Sequence, residues 1–191
     1  MVPPESRVLD LGCGDGALLD HLIREKGCDG TGVEISDEGF HASVARGVPV
    51  MVGDIDRGLS DVDDGTFDVV ILSQTLQATH RPALVLNEMM RVGRVGIVSF
   101  PNFGYWRLRW SLAGRGRMPE SRSLPYRWYD TPNIHLCTIR DFESLLVHED
   151  LQAQRRVLLD DRGGPARGLV LRRPNLLAAG AVYLVGRHAG G

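Results

Sequence analysis

The chain has 191 residues, 43% hydrophobic and 24% charged, with a formal net charge of −2; this is ample for one domain's core and short for two. No apolar run reaches the roughly 18 residues of a membrane-spanning helix, and the first residues lack a signal-peptide stretch, so a cytoplasmic protein is expected. Three unpaired-looking cysteines argue against a disulfide framework, and residues 1–102, with 8 Lys and Arg against 16 Asp and Glu, argue against nucleic acid as the main partner.

Short β-rich runs alternate with helical stretches, the pattern of a parallel sheet with helices on both faces. Residues 7–11 predict the first strand. A helix follows over 17–26, with Leu18, Leu19, Leu22 and Ile23 on one face and Gly27 as its stop. Residues 30–35 predict the second strand. Ser36 then caps a helix in which Phe40 and Val44 lie four apart, ended by Gly47. Residues 48–52 predict a third strand, and the β-branched run 67–72 a fourth, buried on both faces. Pro82 suits the first turn of a helix running to about Val92. Residues 95–100 predict the fifth strand.

The stretch 103–131 breaks the alternation and reads as an insertion. It holds all three tryptophans (Trp106, Trp110, Trp128), together with Tyr105, Tyr126 and Tyr129 and six arginines, Arg122 among them. Beyond it, Thr138 caps a helix with Asp141 in its first turn and Phe142, Leu145 and Leu146 following. Two last strands are expected near 152–159 and 181–185. Between them, 161–175 is rich in Gly, Pro and Arg and reads as a mobile loop. The sum is one Rossmann-like α/β domain over the whole chain, with a mostly parallel seven-stranded sheet.

The sharpest motif is Val8-Leu9-Asp10-Leu11-Gly12-Cys13-Gly14-Asp15-Gly16. A strand enters a glycine-rich turn and then a helix, so the backbone can approach a ligand without a Cβ in the way. Gly12-x-Gly14-x-x-Ala17 also fits the dinucleotide pattern. Asp10 separates the two: a carboxylate there repels a pyrophosphate but welcomes the ammonium and sulfonium of S-adenosylmethionine. Asp15 adds a second negative charge. Glu34, with Ile35 after it at the end of strand two, is placed to accept from ribose hydroxyls of either nucleoside ligand. After strand three comes Gly53-Asp54-Ile55. Asp54 is placed to accept from an adenine amino group with Ile55 against the ring, or equally to cap a turn.

Together these residues resemble the motifs of class I S-adenosylmethionine-dependent methyltransferases. The stretch from Ser6 to Gly16 is further similar to the MetW family of methionine biosynthesis. So are Gly53 to Leu59, Phe67 to Gln77, Ser99 to Gly104 and, most specifically, Leu124 to Thr138. The resemblance implies a methyltransferase fold that binds S-adenosylmethionine or S-adenosylhomocysteine, with Cys13, Ser73 and Gln74 beside the acidic and glycine positions already named. It implies a role in methionine synthesis alongside a homoserine O-acyltransferase. It also implies a helical segment ahead of strand one, which here opens at Arg7.

Catalytic machinery is not evident. The loop Ser73-Gln74-Thr75-Leu76-Gln77 lacks an amide-methylating signature. His80 is the nearest candidate base, although a histidine before a helix is more often surface or cap. Asn102, after Pro101, either orients a substrate or closes a turn. His135 and Cys137 are the only close His/Cys pair, and no tetrahedral set surrounds them, so no metal is expected. The aromatic and Arg-rich insertion has three readings: a lid, a docking surface for another protein, or a satellite core under a long loop. Two functions follow. One is an S-adenosylmethionine-binding partner or regulator of the acyltransferase; the other is a methyltransferase acting on a small-molecule metabolite.

Overall fold

Seven strands, β1 (Arg7–Leu11), β2 (Asp29–Glu34), β3 (Val50–Val52), β4 (Phe67–Ser73), β5 (Gly93–Pro101), β6 (Leu151–Leu159) and β7 (Gly180–Arg187), form one sheet ordered β3-β2-β1-β4-β5-β7-β6. The computed structural model describes residues 1–121 and 124–188, so Arg122 of the Arg-rich stretch lies outside it. Strands β1 to β5 pair in parallel. β7 enters antiparallel between β5 and β6. The principal helices are α1 (Ala17–Lys26), α2 (Asp37–Arg46), α3 (Pro82–Val92), α4 (Trp106–Arg115) and α5 (Ile139–His148). Among the described residues no helix is long and apolar enough to cross a membrane.

The helix ends follow the local chemistry. Gly27 closes α1 in the left-handed conformation, its N–H donating to the Leu22 and Ile23 carbonyls. The Ser36 hydroxyl accepts from the Gly39 amide at the start of α2. Thr138 and Asp141 form a reciprocal capping box on α5.

Side chains of successive strand residues point to opposite faces, and β4 shows the division. Val70 and Leu72 join the core formed with α3 and α5, whereas Val69 and Ile71 pack with Leu19 and Leu22 of α1. At the centre of the first core the Phe142 ring lies 4.7 Å from that of Phe100 and 4.9 Å from that of Tyr183. The Tyr183 hydroxyl donates to Glu143 at 2.8 Å, so the one polar tip of this cluster is satisfied.

One expectation is corrected. Residues 161–175 do not form an open loop: α6 (Leu169–Arg172) and α7 (Pro174–Leu177) are short helical turns, the second opened by its proline. The Asp160 carboxylate accepts from the Arg162 and Gly164 amides, and Ala166 N–H donates to the Leu158 carbonyl, tying the segment to β6. The insertion contains a regular helix, α4. Its Tyr105 and Leu108 pack with Leu124 and Ala179 in a small separate core, while Trp110 and Trp128 stay 67% and 72% exposed. The strand-two and strand-three bounds shift slightly, and Ile35 falls just outside β2.

Candidate ligand site at the carboxyl ends of the strands

Strand order reverses between β1 and β4, with β2 on one side of β1 and β4 on the other. In open α/β sheets ligands bind in the crevice at such a switch point. The glycine turn after β1 stands there. Gly12, Gly14 and Gly16 have φ of 72°, 57° and 72°, a conformation that side chains disfavour. At Gly12 a Cβ would also lie 2.6 Å from Thr75 Cγ2. The Gly12 and Cys13 amides donate to the Val33 carbonyl at 2.8 and 3.1 Å. The Gly14 amide donates to Glu34 Oε2 at 2.8 Å. From α2, the fully buried Ser43 hydroxyl donates to the Gly14 carbonyl at 2.9 Å. The turn is therefore held from β2 and α2 together.

The two buried carboxyl groups beside this turn are partnered differently. Glu34 is 7% exposed. Its Oε1 accepts from the Ile35 amide (3.1 Å), the Ser36 amide (2.9 Å) and the Ser36 hydroxyl (2.8 Å). Burial works to raise its pKa, but these donors and Gly14 outweigh it and hold the group below its ordinary value. Asp10 is 2% exposed, and its Oδ1 has no hydrogen-bond donor among the described residues. Burial, followed by the charge of Glu34, pushes its pKa up to about 7. An unmet buried acceptor of this kind costs stability and calls for a donor, most favourably a positively charged one. A pyrophosphate offers neither.

Other sequence-predicted positions divide. Ser73 ends β4, its hydroxyl 3.1 Å from that of Ser99. Gln74 follows it, exposed, with a left-handed φ of 56° and its amide donating to the Ser99 carbonyl. The Gly53 amide donates to the Glu34 carbonyl, which brings the end of β3 alongside. Ile35 is exposed beside them. Asp10, Gly12, Cys13, Gly14, Glu34, Gly53, Ser73 and Gln74 thus share the carboxyl ends of β1 to β4.

Asp15 turns away. Its carboxylate accepts from the Ala17 amide at 3.1 Å and pairs with Arg46 at 2.6 Å, so it adds no free charge to the turn. Asp54 caps a 3₁₀ turn, Ile55–Arg57, accepting from the Asp56 amide and pairing with Arg57 at 3.2 Å. Ile55 packs partly into the core. Asn102 is fully buried and braces backbone: Nδ2 donates to the Asn175 and Ala178 carbonyls, and Oδ1 accepts from the Gly104 and Ile139 amides. Of its two readings, closing the turn is the one the geometry gives. The His80 ring is exposed, and its backbone amide, with that of Arg81, donates to Asp56. Sequence reasoning missed Ser43, Thr75 and Asp56. A serine on the inner side of α2 was the one available signal; nothing marks Thr75 as the side chain that crowds Gly12.

Known proteins carry the same architecture. A family profile described as "Methionine biosynthesis protein MetW" matches residues 1–185. A Rhodopirellula baltica protein, "Bifunctional methionine biosynthesis protein MetXA/MetW", is 39% identical over 173 residues. That match covers 85% of this chain but only 28% of the relative's own length. An S-adenosylmethionine-dependent methyltransferase from Mesorhizobium loti superposes with a TM-score of 0.71 at 19% identity, over 98% of this chain and 94% of that one. The plantazolicin methyltransferase BpumL, solved with S-adenosylhomocysteine, gives 0.66 at 17% identity, over 98% and 77%. At such identities the likeness is one of fold, and the fold is that of the class I methyltransferases.

Proposed function

The chain belongs to the MetW family of methionine biosynthesis, and on that premise we propose that it binds S-adenosylmethionine across the ends of β1 to β4 and acts with a homoserine O-acyltransferase. The observation that carries the binding is Asp10, a buried carboxylate whose Oδ1 lacks a donor at a turn built for close backbone approach. The cofactor's ammonium is the complementary group. Glu34, already ionised and held by local amides, stands ready to accept from ribose hydroxyls. Ile35 and Ile55 offer apolar surface toward the base. Asp54, released from its cap, would accept from the adenine amine. When bound, the cofactor supplies a methyl group activated on sulfur.

The acyltransferase partnership is supported by the name of the Rhodopirellula baltica relative, which joins MetXA and MetW in one chain. S-adenosylmethionine lies downstream of methionine, so its binding here would report pathway output to the partner.

A thermal-shift titration with S-adenosylmethionine, S-adenosylhomocysteine and NAD tests the binding. At about 100 times its dissociation constant a ligand adds roughly 2.7 kcal/mol, about 5–10 °C for a domain of this size. The adenosyl ligands are expected to shift the wild type, Asp10→Asn to weaken that shift, and NAD to give none. Co-purification with the acyltransferase, and its rate with and without S-adenosylmethionine, tests the partnership. No complex together with no rate change would remove it.

The left-handed backbone of Gln74 favours a second reading, methyl transfer to a small metabolite, because such strain gathers at working sites. Turnover to S-adenosylhomocysteine with a pathway metabolite, lost in Gln74→Ala, would establish it.

A further inference from the structure

A separate cavity of about 450 Å³ lies over the ends of β4, β5 and β6, in the size range of small-molecule sites. Phe100 and Pro101 at the end of β5 contribute to its lining, as do Tyr126 and Pro132 from the insertion and its continuation. Its polar lining includes Gln77, Asp160 and Arg162.

Gln77 is the telling residue. It is 6% exposed. Its Nε2 donates to the Gln74 carbonyl at 2.7 Å, which fixes the orientation of the amide. Its Oε1 is then left buried without a donor among the described residues. A buried acceptor left unmet is costly. The carbonyl of the same residue accepts from both the Ile134 and His135 amides and so fastens the wall of the cavity to the loop after β4.

Charge selects the occupant further. Asp161 is paired with Arg107 at 3.2 Å. The Asp160 carboxylate accepts only backbone amides, so its charge is not offset by a cation among the described residues. The Arg162 guanidinium has no ion pair among the described residues. The lining thus offers acceptors, an uncompensated carboxylate and the Gln77 oxygen, together with a guanidinium suited to a carboxylate. Pro125, Tyr126 and Pro132 add apolar surface.

We propose that this cavity binds a free α-amino acid as its zwitterion, the ammonium toward Gln77 Oε1 and Asp160, the carboxylate on Arg162, and the side chain against Tyr126 and Pro132. Because Gln74 lines this cavity and also follows Ser73 at the ligand crevice, the two sites share a wall. The chemistry of the cavity does not depend on what the crevice binds.

The test is differential scanning fluorimetry of the whole chain with each protein L-amino acid and L-homoserine in turn, without and with S-adenosylmethionine. The matched decarboxylated amines and N-acetyl derivatives serve as controls. At least one amino acid is expected to raise the melting temperature while its amine and its N-acetyl form do not. Arg162→Gln and Gln77→Leu should each weaken that binding about tenfold or more, as expected for loss of a hydrogen bond to a charged group. If Gln77→Leu fails to fold, the surface change Arg162→Gln decides alone. No response to any amino acid, equal response to the decarboxylated amine, or undiminished affinity in Arg162→Gln would each overturn the assignment. Loss of amino-acid binding with S-adenosylmethionine binding intact, or the reverse, separates this cavity from the cofactor reading.

Discussion

The two faces of the sheet are closed to different degrees. On one face α3 and α5 bring Val85, Met89, Phe142 and Leu146 onto strand residues that are all but inaccessible. On the other, α1 and α2 cover β1 to β3, but past β4 the cover thins. Val95, Val182 and Leu184 are only partly buried there, and a cavity of about 320 Å³ opens, with Met1, Leu18, Ile71 and Ile97 in its lining. Ser73 and Ser99, next to the proposed cofactor crevice, line the same opening. One face is therefore closed by helices, and the other, open past β4, adjoins the proposed cofactor crevice.

The sharpest way to break this contrast is to truncate one side chain on each face. Phe142→Ala should cost about 3–5 kcal/mol in chemical denaturation, whereas Ile97→Ala, whose surroundings are already open, should cost roughly 1–3 kcal/mol. Equal costs would mean that both faces are packed alike. Next in size is Gly12→Ala. A left-handed φ and a Cβ pressed against Thr75 should cost about 2 kcal/mol and abolish the S-adenosylmethionine thermal shift.

Asp10 gives a signature in pH. Its carboxyl has an ordinary value of 3.8 and a folded value of about 7. The folded chain thus holds a proton that the unfolded chain releases, and the resulting stability is complete below pH 4, declines as pH rises, and is gone above pH 7. At pH 8 Asp10→Asn should therefore melt higher than the unliganded wild type, by on the order of 1–2 kcal/mol after the cost of an unmet amide is deducted. That advantage should vanish near pH 4. Wild-type affinity for S-adenosylmethionine should move the other way and rise from pH 6 to pH 8, because only the ionised carboxylate attracts the ammonium. Calorimetric titration across that range checks the sign. The smallest effect belongs to Arg46→Ala: the exposed pair with Asp15 should leave the melting temperature unchanged and affinity within about twofold.

Much of this architecture was legible because local rules and tertiary packing agree. Glycine stops, the Ser36 and Thr138 caps, and the buried runs of β1 and β4 each announce an element without help from afar. The glycine turn and its acidic neighbours were legible for the same reason, as a strand running into a tight turn. The sequence is least decisive where a side chain has two suitors. Asp15, Asp54 and Asn102 all suit a ligand by type and position, yet Arg46, the Asp56 amide and four backbone groups around β5 and α7 engage them in the fold. No spacing rule reports which partner will be nearer. Helix α4 was hidden differently: it lacks a side-chain cap, and only Leu108 on it is buried, so its apolar period is too weak to read.

The concentration of tryptophan in one region has a practical consequence. Trp106, Trp110 and Trp128 are the chain's complete set, and all three are substantially exposed on or beside the insertion. Intrinsic fluorescence therefore watches only that part of the molecule and is silent about the glycine turn. Emission should start red-shifted and change little on unfolding. A blue shift on adding the acyltransferase would locate its footprint on the insertion without any label, whereas complex formation with an unchanged spectrum would place the footprint elsewhere.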